Sequence, residues 1–81
     1  MGAKDRPVRV AEIKRLLRAN GEMTLKAISG ALGANLTDTV GDMAVLVNRG
    51  HVRCERKATE ASFGQKVPVY ELTELGKRYG G

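Results

Sequence analysis

At 81 residues, with 14 Lys and Arg against 9 Asp and Glu and a formal net charge of +5, the chain has the size of one small basic domain. Apolar residues at 42% and charged residues at 28% fit a folded domain rather than a disordered tail. A lone cysteine, Cys54, and a lone histidine, His51, rule out an internal disulfide and a four-ligand zinc site. They also leave little from which to build catalysis, so a binding module without cofactor, metal or small-molecule ligand is expected rather than an enzyme. No apolar run nears the ~20 residues of a membrane span, and Met1–Pro7 lacks the apolar segment of a signal peptide. The expectation is a single cytoplasmic domain over 1–81, loose at 1–7 and 80–81 and held together by packing alone.

The elements follow in chain order. Val10, Ile13, Leu16 and Leu17 recur three and four apart, which predicts a helix over about residues 8–19. Pro7 suits its start and Asn20-Gly21 its end. Of the remaining positions, Lys14, Arg15 and Arg18 read as a solvated outer face. Thr24 can cap a second, short helix carrying Leu25, Ile28 and Leu32 and closed by Gly33. Its small residues Ala27, Ser29, Gly30 and Ala31 permit close approach of a neighbour. A third helix starts at a cap on Asn35 or Thr37, with an apolar stripe of Val40, Met43, Leu46 and Val47, and ends at Arg49-Gly50.

From His51 the period changes. Alternation over 52–57 predicts a strand with Cys54 turned to the core; 58–65 is a polar loop, and Lys66–Leu72 a second strand with Pro68 at an edge. Thr73 caps a last short helical segment over 74–79, and Gly80-Gly81 is a frayed end. Ile13, Leu17, Ile28, Leu32, Met43, Leu46, Val52, Tyr70 and Leu72 are the expected core. Phe63, alone in the polar loop, either folds back on the hairpin, contacts a partner or enters a groove, the first being preferred. Leu75 and Tyr79 are candidates for a homodimer contact in the C-terminal segment.

This order resembles a winged helix-turn-helix domain of the bacterial or phage regulator type. Thr24–Gly33 is similar to that family's second helix, Met43–Val52 to the exit of its third helix, and Tyr70–Gly76 to the phrase that closes the wing. The resemblance implies an α+β, mainly α fold of three helices with a C-terminal hairpin wing. It implies a small transcriptional regulator or accessory DNA-binding protein, often homodimeric, on double-stranded DNA. The third helix enters the major groove and the wing meets phosphates or the minor groove.

Charge placement supports that reading in part. Residues 1–26 carry net +4, 27–48 net −2 and 49–66 net +3. Lys26, Arg49, Arg53, Arg56, Lys57 and Lys66 are therefore the phosphate candidates, with Arg6 and Arg9 near the start of the first helix. Asn35, Thr37, Asp38, Thr39 and Asp42 are the base-contact candidates, since a carboxylate accepts from cytosine and threonine packs on a thymine methyl. The family spacing puts the first buried position of the third helix at Thr39, whereas the apolar pattern favours Val40. Asp38 and Asp42 facing an anionic groove keep a second reading open, a protein–protein adaptor whose acidic third helix meets a basic partner.

Overall fold

The computed structural model describes residues 5–59 and 63–79. Helix α1 runs Arg6–Asn20 and is followed by a short strand, β1, at Glu22–Thr24. Helices α2 (Leu25–Leu32) and α3 (Leu36–Asn48) come next, then strands β2 (Val52–Ala58) and β3 (Lys66–Leu72) and the short helix α4 (Glu74–Arg78). The expected looseness of 1–7 gives way to helix from Arg6, with Pro7 in the first turn, where its missing N–H costs nothing. The expected frayed Gly80-Gly81 lies outside the described residues.

Local chemistry sets the ends of the two central helices. Thr24 accepts from the amide of Ala27, and Asn35 accepts from the amide of Asp38 at 2.8 Å. Asn35, not Thr37, is thus the cap of α3. Between α2 and α3 the Ser29 hydroxyl donates to the Ala34 carbonyl at 2.6 Å, which closes the tight connection.

The sheet has the order β1-β3-β2, antiparallel throughout. β1 has no counterpart in the sequence reading. Three residues with one apolar side chain, Met23, carry no periodic signal, and the strand exists because β3 offers its free edge, pairing Met23 with Tyr70. The β2–β3 hairpin pairs Val52 with Leu72 at its base and Ala58 with Lys66 at its outer end. Cys54 shares a sheet face with its partner Tyr70, yet it is exposed rather than turned into the core. β2 is an edge strand, and within it only Val52 is fully buried.

Val10, Ile13, Leu17, Ile28, Met43, Leu46, Val52 and Leu72 form one buried cluster, with Met23, Leu25, Leu32 and Tyr70 partly buried against it. Helix α3 is turned relative to the expected stripe: Thr39 is fully buried while Val40 and Val47 are 50% and 40% exposed. The buried Thr39 hydroxyl is satisfied by donating to the Asn35 carbonyl at 2.9 Å.

Helix α4 is clamped to the turn between α3 and β2. The Thr73 hydroxyl donates to the Gly50 carbonyl and the Thr73 amide to the His51 carbonyl. A Cβ on Gly76 would stand 1.9 Å from that His51 carbonyl oxygen, so only glycine permits the approach. Arg18 of α1 donates to the carbonyls of Gly76 and Tyr79, and the Tyr79 ring stacks on His51 with centroids 5.5 Å apart. Lys14, expected in solvent, is only 4% exposed, and its ammonium lies 3.1 Å from Nδ1 of His51. Burial, then Arg18 and Arg49, hold its pKa below the usual lysine value. Burial, then Lys14 and Arg49, push His51 below its usual 6.5. Neutral His51 accepts from Lys14, and protonation removes that acceptor.

Two outcomes follow. Leu46→Ala removes a fully buried side chain, and urea unfolding should read a loss of about 2–5 kcal/mol; a change under about 0.5 kcal/mol contradicts the packing. His51 binds its proton less well folded than unfolded. Stability is therefore complete above pH 6.5 and falls as the pH drops toward the lower folded value. Thermal unfolding followed by circular dichroism should give a smaller acid-side fall in Tm for His51→Gln than for the parent chain. Equal falls contradict the cluster.

Candidate nucleic-acid interface

The site is built on α3, the start of α2 and the hairpin. Thr24, Leu25 and Lys26 from α2 and its cap, Leu36 from α3, and Phe63, Gln65, Val67 and Pro68 from the hairpin line one groove of about 570 Å³. The two helix starts and the wing therefore form one continuous surface.

The orientation of α3 on this surface is set from behind by a buried ion cluster. Asp42, fully buried, receives Nε of Arg9 at 2.6 Å and Nη2 of Arg9 at 3.1 Å on its two oxygens. Nε of Arg6 adds a third bond at 3.0 Å. The Arg9 side chain is 10% exposed and that of Arg6 50%. The hydrogen bond to Asp42 raises the Arg9 pKa, so the guanidinium stays charged. Gly41 leaves the space for Arg6: a Cβ there would lie 2.6 Å from its Nη2.

This geometry removes two base-contact candidates. Asp42 does not face the groove, because it is the counter-ion that joins α1 to α3. Thr39 is fully buried and spends its hydroxyl on its own helix. Asn35 remains exposed, but its side-chain oxygen is held by the cap. Thr37 is exposed and Asp38 half-buried at the first turn. The reading of an acidic third helix loses Asp42 by the same finding. Arg9 and Arg6, read as phosphate candidates, are occupied by Asp42. A buried pair between helices was masked in the sequence by the default placement of charge on the outside. A local sign of it is Gly41 beside Asp42, which leaves room for the end of the Arg6 side chain.

Wing charges divide into two groups. Arg53 pairs with Glu71 through Nε at 2.7 Å, and Lys57 reaches Glu22 at 2.8 Å, which raises the pKa of both cations. These pairs also offset the facing of Glu22 and Glu71 across β1 and β3. They are exposed, and such pairs are worth about 0–1 kcal/mol. Arg56, Lys66, Lys26 and Arg49 have no carboxylate partner among the described residues; Arg56 donates only to the Lys66 carbonyl, at 3.5 Å. Phe63 does not fold back onto the hairpin. It is 94% exposed at the tip, beyond the last strand pair, with φ of +52° beside Gly64 at +86°.

No family model matches the sequence, and no curated protein is similar to it at the sequence level. Solved structures share its fold. A MarR family transcriptional regulator from Silicibacter pomeroyi superimposes with a TM-score of 0.73 at 24% identity, over 89% of this chain and 46% of that one. A MarR family regulator from Neisseria meningitidis gives 0.72 at 20% identity, over 88% and 47%. The Zalpha domain of a Carassius auratus protein, solved in complex with Z-DNA, gives 0.67 at 19% identity, over 84% and 97%. The chain spans about half the length of the two regulators and nearly all of the Zalpha domain. The fold is a winged helix-turn-helix, with α2 and α3 as the helix pair and β2–β3 as the wing.

The ion cluster yields a direct test. Asp42→Ala strands the Arg9 guanidinium, 10% exposed, against the core, and chemical denaturation should read a loss of about 3–5 kcal/mol. An unchanged midpoint contradicts the placement of Asp42.

Proposed function

We propose that the protein binds double-stranded DNA and acts as a small transcriptional regulator or accessory DNA-binding protein, without enzymatic activity. The observation that carries this is the shared surface of α2, α3 and wing, with Lys26, Arg56 and Lys66 free of carboxylates among the described residues. Phosphates neutralise these cations and release counterions. The start of α3 then lies toward the major groove, while the wing follows the adjacent backbone. The Zalpha neighbour, solved in complex with Z-DNA, supports DNA binding by this fold. The adaptor reading rested on an acidic third helix, and the burial of Asp42 removes half of that charge.

A homodimer through the C-terminal segment is part of the proposal. Leu75 and Tyr79 are 38% and 54% exposed, an apolar pair at the end of the domain away from the start of α3. A cytoplasmic location accords with the described helices, none of which is long and apolar enough to cross a membrane.

Fluorescence anisotropy against a random duplex at several salt concentrations tests the reading. Affinity should fall linearly on a log–log plot, and Arg56→Ala with Lys66→Ala should flatten the slope by about one unit per lost phosphate contact. Absence of salt-sensitive binding at low ionic strength, by monomer or dimer, overturns it.

A further inference from the structure

The face of α3 left open by the Asp42 cluster is apolar. Leu36, Val40 and Ala44 stand four residues apart on it, with Leu36 46% and Val40 50% exposed and Ala44 exposed as well. Val47, 40% exposed, continues the row toward the C-terminus. Between the cap and the last turn the exposed side chains include one hydroxyl, Thr37, and no amide or cation. A helix that reads bases by hydrogen bonds offers Arg, Lys, Asn or Gln to the groove. This helix offers methyl groups.

Resting on the proposed DNA binding, we infer that α3 recognises the C5-methyl groups of pyrimidines in the major groove, with Val40 at the centre of the contact and Leu36, Thr37 and Ala44 around it. The C5-methyl is the one apolar group that a base pair presents there, and small aliphatic side chains and the threonine methyl pack on it. The charge around the row selects DNA rather than a protein as its occupant. Lys26 and the wing share the groove with Leu36, and Arg56 and Lys66 lie on the same hairpin. An apolar strip bordered by cations matches a floor of methyls between two phosphate strands. Thymine and 5-methylcytosine both carry the group.

The test uses four duplexes in anisotropy titrations: an A·T-rich sequence, the same sequence with every thymine replaced by uracil, a G·C-rich sequence, and its 5-methylcytosine copy. Removing the methyls should weaken binding by about fourfold for each methyl buried. A loss confined to the uracil arm assigns thymine, and a gain confined to the methylcytosine arm assigns 5-methylcytosine. Val40→Ala, at an exposed site where folding is spared, should shrink whichever ratio is found, while Val8→Ala, at an exposed site on α1, leaves it intact. Equal affinity for methylated and unmethylated partners, with salt sensitivity retained, overturns the inference and leaves the DNA reading standing. Salt-insensitive or absent binding to all four overturns both. A self-association abolished by Val40→Asn, without effect on DNA binding, assigns the row to a second copy and overturns the inference.

Discussion

The orientation of α3 depends on one carboxylate. Asp42 sits without solvent contact between α1 and α3, and its oxygens are shared by Arg9 and Arg6. Removing either side of such a cluster strands charge in the interior, so the pair holds its geometry whatever its net contribution to stability. With Asp42 turned inward, Thr39, Met43 and Leu46 must also face the core, and Leu36, Val40 and Ala44 must face away. The functional face of the helix is thus decided by the contact on its opposite side.

The same logic divides the domain into two ends. At one end, the starts of α2 and α3 and the wing carry Lys26, Arg56 and Lys66, which have no carboxylate partner among the described residues, and an exposed apolar row. At the other, Lys14, His51, Arg18 and Tyr79 hold α4 against the α3–β2 turn. Lys14 and His51 are both held below their ordinary pKa values, because burial and neighbouring cations disfavour added charge. Protonation of His51 therefore acts on the seat of α4, at the end where Leu75 and Tyr79 are exposed.

Much of the architecture was legible in the sequence. The change of period at His51, the caps Thr24 and Asn35, and the stops at Gly33 and Gly50 locate α2, α3 and the hairpin closely. The rotation of α3 was legible only in the family spacing, which put Thr39 at the first buried position; the apolar pattern pointed elsewhere, because Val40 is the more apolar residue and Thr39 the less. Burial of Thr39 becomes cheap only once its hydroxyl finds the Asn35 carbonyl one turn back. The interior roles of Arg9, Lys14 and Asp42 were hidden for a related reason. A long cationic side chain reads as solvent-facing until the partner that accepts its hydrogen bonds is brought alongside, here from residues 33 and 37 positions away. Of the site, the wing cations were legible from charge counting, whereas the apolar character of the α3 face followed only from its rotation.

Methyl-resolved NMR during titration with duplex DNA examines this account most directly, since it reports the orientation of α3 and its use together. The methyl signals of Leu36, Val40 and Ala44 should shift on addition of DNA and return as salt is raised, with those of Met43 and Leu46 nearly unmoved. Shifts confined to Val8, Leu75 or the α4 end, with Val40 silent, would contradict it.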